Sequence, residues 1–378
     1  MVENANINFK IERRALLPAL SAVNRAVEKR NTIPILGYVL LKPDNGCLTV
    51  TGTGLDVEVK AQAQQSGVED FKPFTVPSAL LHAAVSKFPD GCEIGFTGDD
   101  AAVQITAGRS RLQMPILPAT DFPEMTEDGF THQFRLPAST FARVLATVGF
   151  AVSTEETRYY LNGIFMNPDG PHLAFAATDG HQFSHMKVPA PEGCADMPGV
   201  IIPRGILNLL LHCTKAEGEV DICLSDRKIR AAFQDGVTVT SKLVEGTYPD
   251  YRRIIPTGYE KFYHVDRDAL QAAVSRVSLV AGEKSEGVRF TFGSDDVQLE
   301  INNPATGRTE ETVALSESHP AETAITLNYR YCNSVLSATD AAEIRFALES
   351  ATSPCLISPV TDPEAGEPPL FIIMPMRS

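Results

Sequence analysis

Two hydrophobic periods take turns along this chain. Leu16, Leu17, Leu20, Val23 and Val27 recur at three- and four-residue spacing, the stripe of an amphipathic helix. Pro18 lies early in that stripe, where it is tolerable only near the first turn or at a kink. Residues 38–51 then switch to a strand, an Asp-Asn-Gly turn and a second strand. A second helical stripe at 77–88 and another strand pair, 93–96 with 102–107, complete the series. The series returns with Phe141, Val144, Leu145 and Val148, strands over 164–175, a helix at 203–215 and strands at 219–224 and 229–233. It returns again with Leu270, Ala273, Val274 and Val277, strands over 288–301, a helix at 327–338 and strands at 343–348 and 355–359. Ser139 or Thr140, and Asp266, are the candidate N-caps.

The series repeats about every 125 residues. Leu48-Thr-Val-Thr-Gly-Thr53 is echoed by Leu173-Ala-Phe-Ala-Ala-Thr178 and by Val297-Gln-Leu-Glu-Ile-Asn302. Phe122-Pro-Glu124 is echoed by Tyr248-Pro-Asp250, and Met114-Pro115 by Met374-Pro375. A period of this length is a whole domain rather than a solenoid unit. It predicts three α+β domains, 1–126, 127–256 and 257–378, with antiparallel sheets and two helices side by side on the inner face of each.

The net charge of −14 argues, taken alone, against a nucleic-acid partner. The charges are segregated, however. Six helix windows (12–30, 76–88, 137–153, 202–215, 266–282 and 327–338) hold twelve basic residues and four acidic ones, a net +8, which leaves −22 for the rest. Helices lining one surface would make it basic on an acidic protein, suited to a polyanion; dipole and solubility tuning of ordinary helices is the plainer reading. No apolar run is long enough to span a bilayer, and the polar N-terminus has no signal pattern, so the expectation is a cytoplasmic protein with no membrane partner. The seven scattered cysteines read as buried free thiols.

Chemistry-bearing motifs are few. The chain has no phosphate-cradling Gly-x-x-x-x-Gly-Lys, no Gly-x-Ser-x-Gly and no His-Glu-x-x-His. Asp179, His181 and His185 could be read as metal ligands or an acid/base group, but no matching cluster stands elsewhere, and Asp179-Gly180 reads better as a turn at a strand end. Arg158-Tyr159-Tyr160 suits either one core and one surface aromatic or an approach to a nucleic-acid backbone. Residues 249–256 read as a stiff linker that could also wall a cleft. The terminal Phe371-Ile-Ile-Met-Pro-Met-Arg377 reads as a packed strand ending in adaptable methionines.

Arg30-Asn-Thr-Ile-Pro-Ile-Leu, Arg158-Tyr-Tyr-Leu-Asn-Gly, Ala177-Thr-Asp-Gly-His, Tyr248-Pro-Asp-Tyr-Arg-Arg and the terminal Met-Pro-Met-Arg together resemble the bacterial DNA polymerase III sliding clamp, the beta subunit. The resemblance runs end to end and covers all three repeats. It implies a head-to-tail homodimer, a ring with sheets outside and helices inside, which encircles duplex DNA without sequence readout. The ring tethers the replicative polymerase alpha subunit, the clamp loader and other proteins with short clamp-binding motifs, with no catalytic residue, metal or cofactor of its own. DNA contacts would fall on Arg30, Arg158, Tyr159 and Tyr160. Partner peptides would enter a cleft between the second and third domains formed by Leu161, Thr178, Gly180, His181, Phe183, Pro249, Arg253, Ile254, Asn328, Tyr331, Ile372, Met374, Pro375, Met376 and Arg377. The ring interface would pair edge strands of the first and third domains, with Leu112, Leu279 and Val280 as apolar contacts.

The chain departs from the family pattern at Gln182, often Arg, at Ser285, often aromatic, at Ser378, usually apolar, and at Glu155 beside the Tyr pair. The same motif class with altered affinities is expected. Two other readings compete: a peptide-binding scaffold of the same fold that is never loaded on DNA, and a metal-dependent enzyme using Asp179, His181 and His185.

Overall fold

A computed structural model describes residues 7–27, 32–126, 128–215, 217–282, 286–319, 321–362 and 366–376. The first repeat runs β1 (Ile7–Glu12), α1 (Arg13–Val23), β2 (Tyr38–Asp44), β3 (Cys47–Thr53), β4 (Val57–Gln62), β5 (Phe74–Pro77), α2 (Ser78–Lys87), β6 (Glu93–Gly98), β7 (Ala102–Ala107) and β8 (Ser110–Pro115). The second runs β9 (His132–Pro137), α3 (Ala138–Val148), β10 (Gly163–Asp169), β11 (His172–Thr178), β12 (Gln182–Pro189), β13 (Val200–Pro203), α4 (Arg204–Cys213), β14 (Glu219–Leu224), β15 (Lys228–Phe233) and β16 (Val237–Lys242). The third runs β17 (Lys261–Asp266), α5 (Arg267–Val277), β18 (Gly287–Phe292), β19 (Asp296–Asn303), β20 (Gly307–Ser318), β21 (Thr323–Asn328), α6 (Tyr329–Ser337), β22 (Glu343–Leu348), β23 (Cys355–Pro359) and β24 (Leu370–Ile373).

The three series are the same, and the echoed segments are β3, β11 and β19. Each first helix is followed by four strands and each second helix by three, where the sequence pattern predicted pairs. Four-residue strands such as β5 and β13 are too short for an alternation to register. The first helix is also shorter than its stripe, which reaches Val27. α1 stops at Val23, and Pro18 sits at its sixth position rather than in the first turn, removing one intrahelical hydrogen bond while Leu16 and Leu20 remain buried. Asp266 caps α5 as predicted, accepting from the Ala269 amide at 2.8 Å. Ser139 and Thr140 do not cap α3: Ala138 opens the helix directly after Pro137, and its amide is satisfied by the Gly218 carbonyl.

The chain forms two compact units that do not coincide with the three repeats. One comprises residues 1–142, 192–194 and 205–243, the other 143–191, 195–204 and 244–378. The first holds a sheet ordered β1-β6-β7-β8 and a sheet ordered β5-β2-β3-β4-β16-β15-β14-β9. The second holds one twelve-stranded sheet, β13-β10-β11-β12-β24-β23-β22-β17-β20-β19-β18-β21. All pairings are antiparallel. Consecutive repeats are therefore hydrogen-bonded into common sheets, β4 to β16 and β12 to β24. α1 packs against α2, and α5 against α6.

In the first repeat Phe9 stacks between Phe71 and Phe96 at 4.1 and 4.7 Å. In the third, Leu270, Val274 and Val277 of α5 close over Tyr263, Phe290, Phe292 and Phe346. Each such side chain contributes about 1.5–3 kcal/mol on burial. All seven cysteines are free thiols, five of them buried. No helix among the described residues is long and apolar enough to cross a membrane.

Candidate functional site

The turn from β11 to β12 is shaped by short polar side chains. Thr178 Oγ1 donates to the Gln182 carbonyl and accepts from the Gly180 amide, at 2.7 and 3.0 Å. Asp179 Oδ1 accepts from the amides of His181 and Gln182 at 2.8 and 2.9 Å, and its Oδ2 accepts from Gln182 Nε2 at 3.0 Å. Gly180 takes φ +92°, which a side chain would resist. The turn reading of Asp179-Gly180 thus holds. The enzyme reading fails here, because the Asp179 carboxylate is committed to the turn and His185 lies buried against Tyr251, their rings 5.2 Å apart. Burial pushes the His185 imidazole down to about 4, so it is neutral at pH 7. Among the described residues no three His, Cys, Asp or Glu side chains converge as metal ligands.

This turn forms one wall of a mostly apolar cavity of about 340 Å³ within the second unit. Of the residues assigned to a cleft from sequence, Leu161, Thr178, Gly180, His181, Phe183, Pro249, Ile254, Ile372 and Met374 line it. Phe183, Ile372 and Tyr251 pack into one cluster with Ala176. The strap after Tyr248 is tied down twice: Tyr251 donates to Asn167 Oδ1 at 3.3 Å, and Arg252 donates to Asp169 Oδ1 at 2.8 Å. Hydrogen bonding from Arg252, helped by Lys187, holds the Asp169 carboxyl below its ordinary range. The last strand, β24, pairs with β12, and the Met374 amide extends the ladder to the His181 carbonyl at 2.8 Å. The Met376 amide donates to Thr326 at 2.8 Å, so the C-terminal segment is pinned while the Met374 side chain stays 42% exposed.

The remaining cleft candidates among the described residues do not line the cavity. Tyr331 stacks near His181, ring centroids 6.5 Å apart. Met376 Sδ lies 3.4 Å from where a Cβ on Gly287 would stand. Asn328 caps α6 by accepting from the Arg330 amide, and donates to Glu286. The exposed Arg253 pairs with Asp250 at 3.1 Å, and Pro375 follows Met374 at the rim. Arg377 and Arg30 lie outside the described residues, as do Ser285 and Ser378.

Six lining residues were not assigned to the cleft from sequence: Arg158, Tyr160, Gln182, Tyr248, Asp250 and Tyr251. The doubled Tyr of Tyr248-Pro-Asp-Tyr251 carried the signal, since a strap walling a cleft lines it with its buried aromatics as well as its proline. Arg158 is a wall of the cavity and not a free cation. Its Nε and Nη2 donate to both oxygens of Glu155 at 2.8 and 2.7 Å, and Nη2 also reaches the Asp179 carbonyl at 2.8 Å. That clamp holds the Glu155 carboxyl below its usual range. Tyr159 is 54% exposed, while Tyr160 packs against the cluster of Leu161, Ile201 and Tyr248.

Ten of the twelve basic residues of the helix windows are described. Arg13, Arg14, Arg267, Arg276 and Arg330 are paired with Asp90, Glu12, Asp268, Glu311 and Glu286. Arg25, Lys87, Arg143, Arg204 and Lys215 are exposed and form no ion pair among the described residues. The unneutralised positive charge is therefore smaller than the window count suggested, and it sits on named side chains.

Several strands have an edge without a ladder partner among the described residues, β8 and part of β20 among them. β8 ends its sheet, with Leu112 half-buried on it. β20 pairs with β17 only over 315–318, so residues 307–314 have β19 on one side and no sheet partner on the other among the described residues. Leu279 stands beside this region 82% exposed, in the turn Ser278–Val280, with Val280 half-buried against the core.

Three family models match in order along the chain: the N-terminal domain of the DNA polymerase III beta subunit over residues 7–126, its central domain over 135–250 and its C-terminal domain over 252–377. The beta sliding clamp of Caulobacter vibrioides is 37% identical over 98% of this chain and all of that protein. The beta sliding clamp of Escherichia coli K12 is 31% identical over the same share of each. A Bartonella birtlesii sliding clamp crystallised with griselimycin superposes with a TM-score of 0.94 at 36% identity, covering 99% of this chain and 100% of the other. The beta subunit from Pseudomonas aeruginosa gives 0.92 at 32% identity, covering 98% and 100%.

Proposed function

The chain belongs to the DNA polymerase III beta subunit family, the beta sliding clamps, and from that premise we propose how it works. It is a processivity subunit and not an enzyme. Two copies join head to tail through the open edge of β8 in one and the open stretch 307–314 of β20 in the other. Unpaired N–H and C=O groups on both edges favour such a ladder. Leu112, Leu279 and Val280 supply apolar contact beside it. The resulting ring encloses duplex DNA and slides on it, because its contacts are to phosphates, which carry no sequence information. Arg25, Lys87, Arg143, Arg204 and Lys215 are the unpaired cations suited to that task, and the exposed Tyr159 joins Arg30 there. Arg158, committed to Glu155, acts instead as a cleft wall. The work is that of a cytoplasmic replication protein, organised in three clamp domains, 1–126, 127–256 and 257–378.

The cavity bounded by Leu161, Phe183, Pro249, Ile372 and Met374 is the partner site. It is apolar with a few convergent polar groups, the usual character of a site for short apolar side chains. A Gln-x-x-Leu-Phe type segment of the polymerase alpha subunit, of the clamp loader or of other partners would place its last two residues there. The pinned but exposed Met374 is the observation that carries this assignment. Replacing Met374 and Met376 together with alanine is expected to abolish peptide binding in a calorimetric titration while the mass in solution stays near 82 kDa, twice the 41.0 kDa chain. Unchanged affinity would sink the cleft assignment, and a wild-type mass of one chain at micromolar concentration would sink the ring.

A further inference from the structure

The β3–β4 turn of the first repeat is the structural counterpart of the cleft turn. Thr53 Oγ1 donates to Val57 and accepts from Leu55, as Thr178 Oγ1 does with Gln182 and Gly180. The Lys242 amide donates to the Asp56 carbonyl, as the Met374 amide does to His181. Thr53 faces Glu58 across the ladder as Thr178 faces Phe183, and Thr240 faces Glu58 as Ile372 faces Phe183. The apolar trio Phe183, Ile372 and Met374 is therefore replaced here by Glu58, Thr240 and Lys242.

Glu58 is only 2% exposed, yet it is satisfied. Its Oε2 accepts from the Met125 amide at 2.7 Å, and its Oε1 lies 3.5 Å from Lys60 Nζ, which also reaches Glu124 at 3.8 Å. Met125 belongs to the Phe122-Pro-Glu-Met strap, the echo of Tyr248-Pro-Asp-Tyr. Lys242 Nζ bridges Asp56 at 2.7 Å on the same turn.

We propose that Glu58 is a buried latch: it fastens the strap 122–126 to the sheet through the Met125 amide and so abolishes, in the first repeat, the groove that the second repeat keeps open for peptides. An apolar motif entering there would have to break the bond to Met125 and leave Oε2 of a buried carboxylate without its hydrogen bond, with only Lys60 beside Oε1, which is costly. The latch thus restricts docking to one motif per chain. The docking half of this inference rests on the cleft assignment, whereas the latch itself does not.

Amide hydrogen exchange by NMR on the intact protein tests the latch. In the wild type the Met125 amide should exchange at least tenfold more slowly than in an unstructured peptide; an unprotected rate overturns the proposal without any variant. Glu58→Ala should accelerate Met125 exchange at least tenfold and leave the Tyr251 amide unchanged, while Glu58→Gln, which keeps an acceptor, should restore protection. A Met125 rate in Glu58→Ala within twofold of wild type contradicts the latch. Titration with acetyl-Gln-Ala-Ala-Leu-Phe should saturate at one peptide per chain. Two per chain refutes the restriction, and no binding at all refutes the cleft assignment while the exchange result still decides the latch.

Discussion

Gly180→Ala is the sharpest perturbation of the cleft that leaves its apolar lining untouched. Gly180 holds φ +92°, and a Cβ added there would lie 2.7 Å from Arg158 Nη1. Two costs follow. The backbone conformation costs an L-residue roughly 1–2 kcal/mol. The clash pushes the guanidinium away from the Asp179 carbonyl, which it meets at 2.8 Å. A hydrogen bond to a charged group contributes about 1.5–3 kcal/mol, the low end applying at this half-exposed site. Gly170→Ala separates the two costs, because Gly170 also has positive φ, +61°, but an added Cβ there would meet nothing within 4 Å. Calorimetric titration with acetyl-Gln-Ala-Ala-Leu-Phe should show affinity about tenfold weaker for Gly180→Ala, equivalent to about 1.4 kcal/mol. Gly170→Ala should bind like the wild type. Equal affinities for all three proteins, or equal losses in both variants, would refute the idea that Arg158 is a working wall of the cleft.

Removing Arg143, exposed and unpaired among the described residues, should reduce the slope of log K for DNA against log salt by about 0.9, while Arg276→Ala, whose side chain is already clamped by Glu311 at 3.0 and 3.1 Å, should leave the slope unchanged. If two copies join as proposed, Leu279→Asp should give 41.0 kDa subunits by light scattering where the wild type gives twice that mass, without altering the circular dichroism of the chain, because the side chain is exposed in the single chain. His185 is neutral when buried, with its folded value down at about 4 against an ordinary 6.5. The unfolded chain binds the proton first as pH falls, so stability present above pH 6.5 is lost between 6.5 and 4, by about 3 kcal/mol. Denaturant titrations of His185→Phe should lack that portion of the acid destabilisation.

The repeat and the α+β series were legible because burial imposes period on every long element. Leu270, Val274 and Val277 mark α5, and the echo of Leu48–Thr53 marks β3, β11 and β19. Strands of four residues, such as β5 and β13, carry no period. Ser139 and Thr140 have the right chemistry for the α3 cap at the wrong position; the partner of the first amide is Gly218, distant in sequence. The cleft was legible where one segment supplies it, as at Pro249 or Met374. Tyr251 and Gln182 were not, since their roles depend on the ladder that joins β12 to β24. Pairing of charges is the least legible property of all. Arg158 and Arg143 look alike in the sequence, and only the fold, which brings Glu155 and the Asp179 carbonyl to Arg158, distinguishes them.

Topological enclosure of DNA predicts different retention on DNA of two shapes. Clamp loaded onto a nicked circular duplex by its clamp loader should stay bound through gel filtration in high salt, and should be lost when a single restriction cut makes the circle linear. Equal retention on circular and linear DNA, or loss from both, would contradict enclosure.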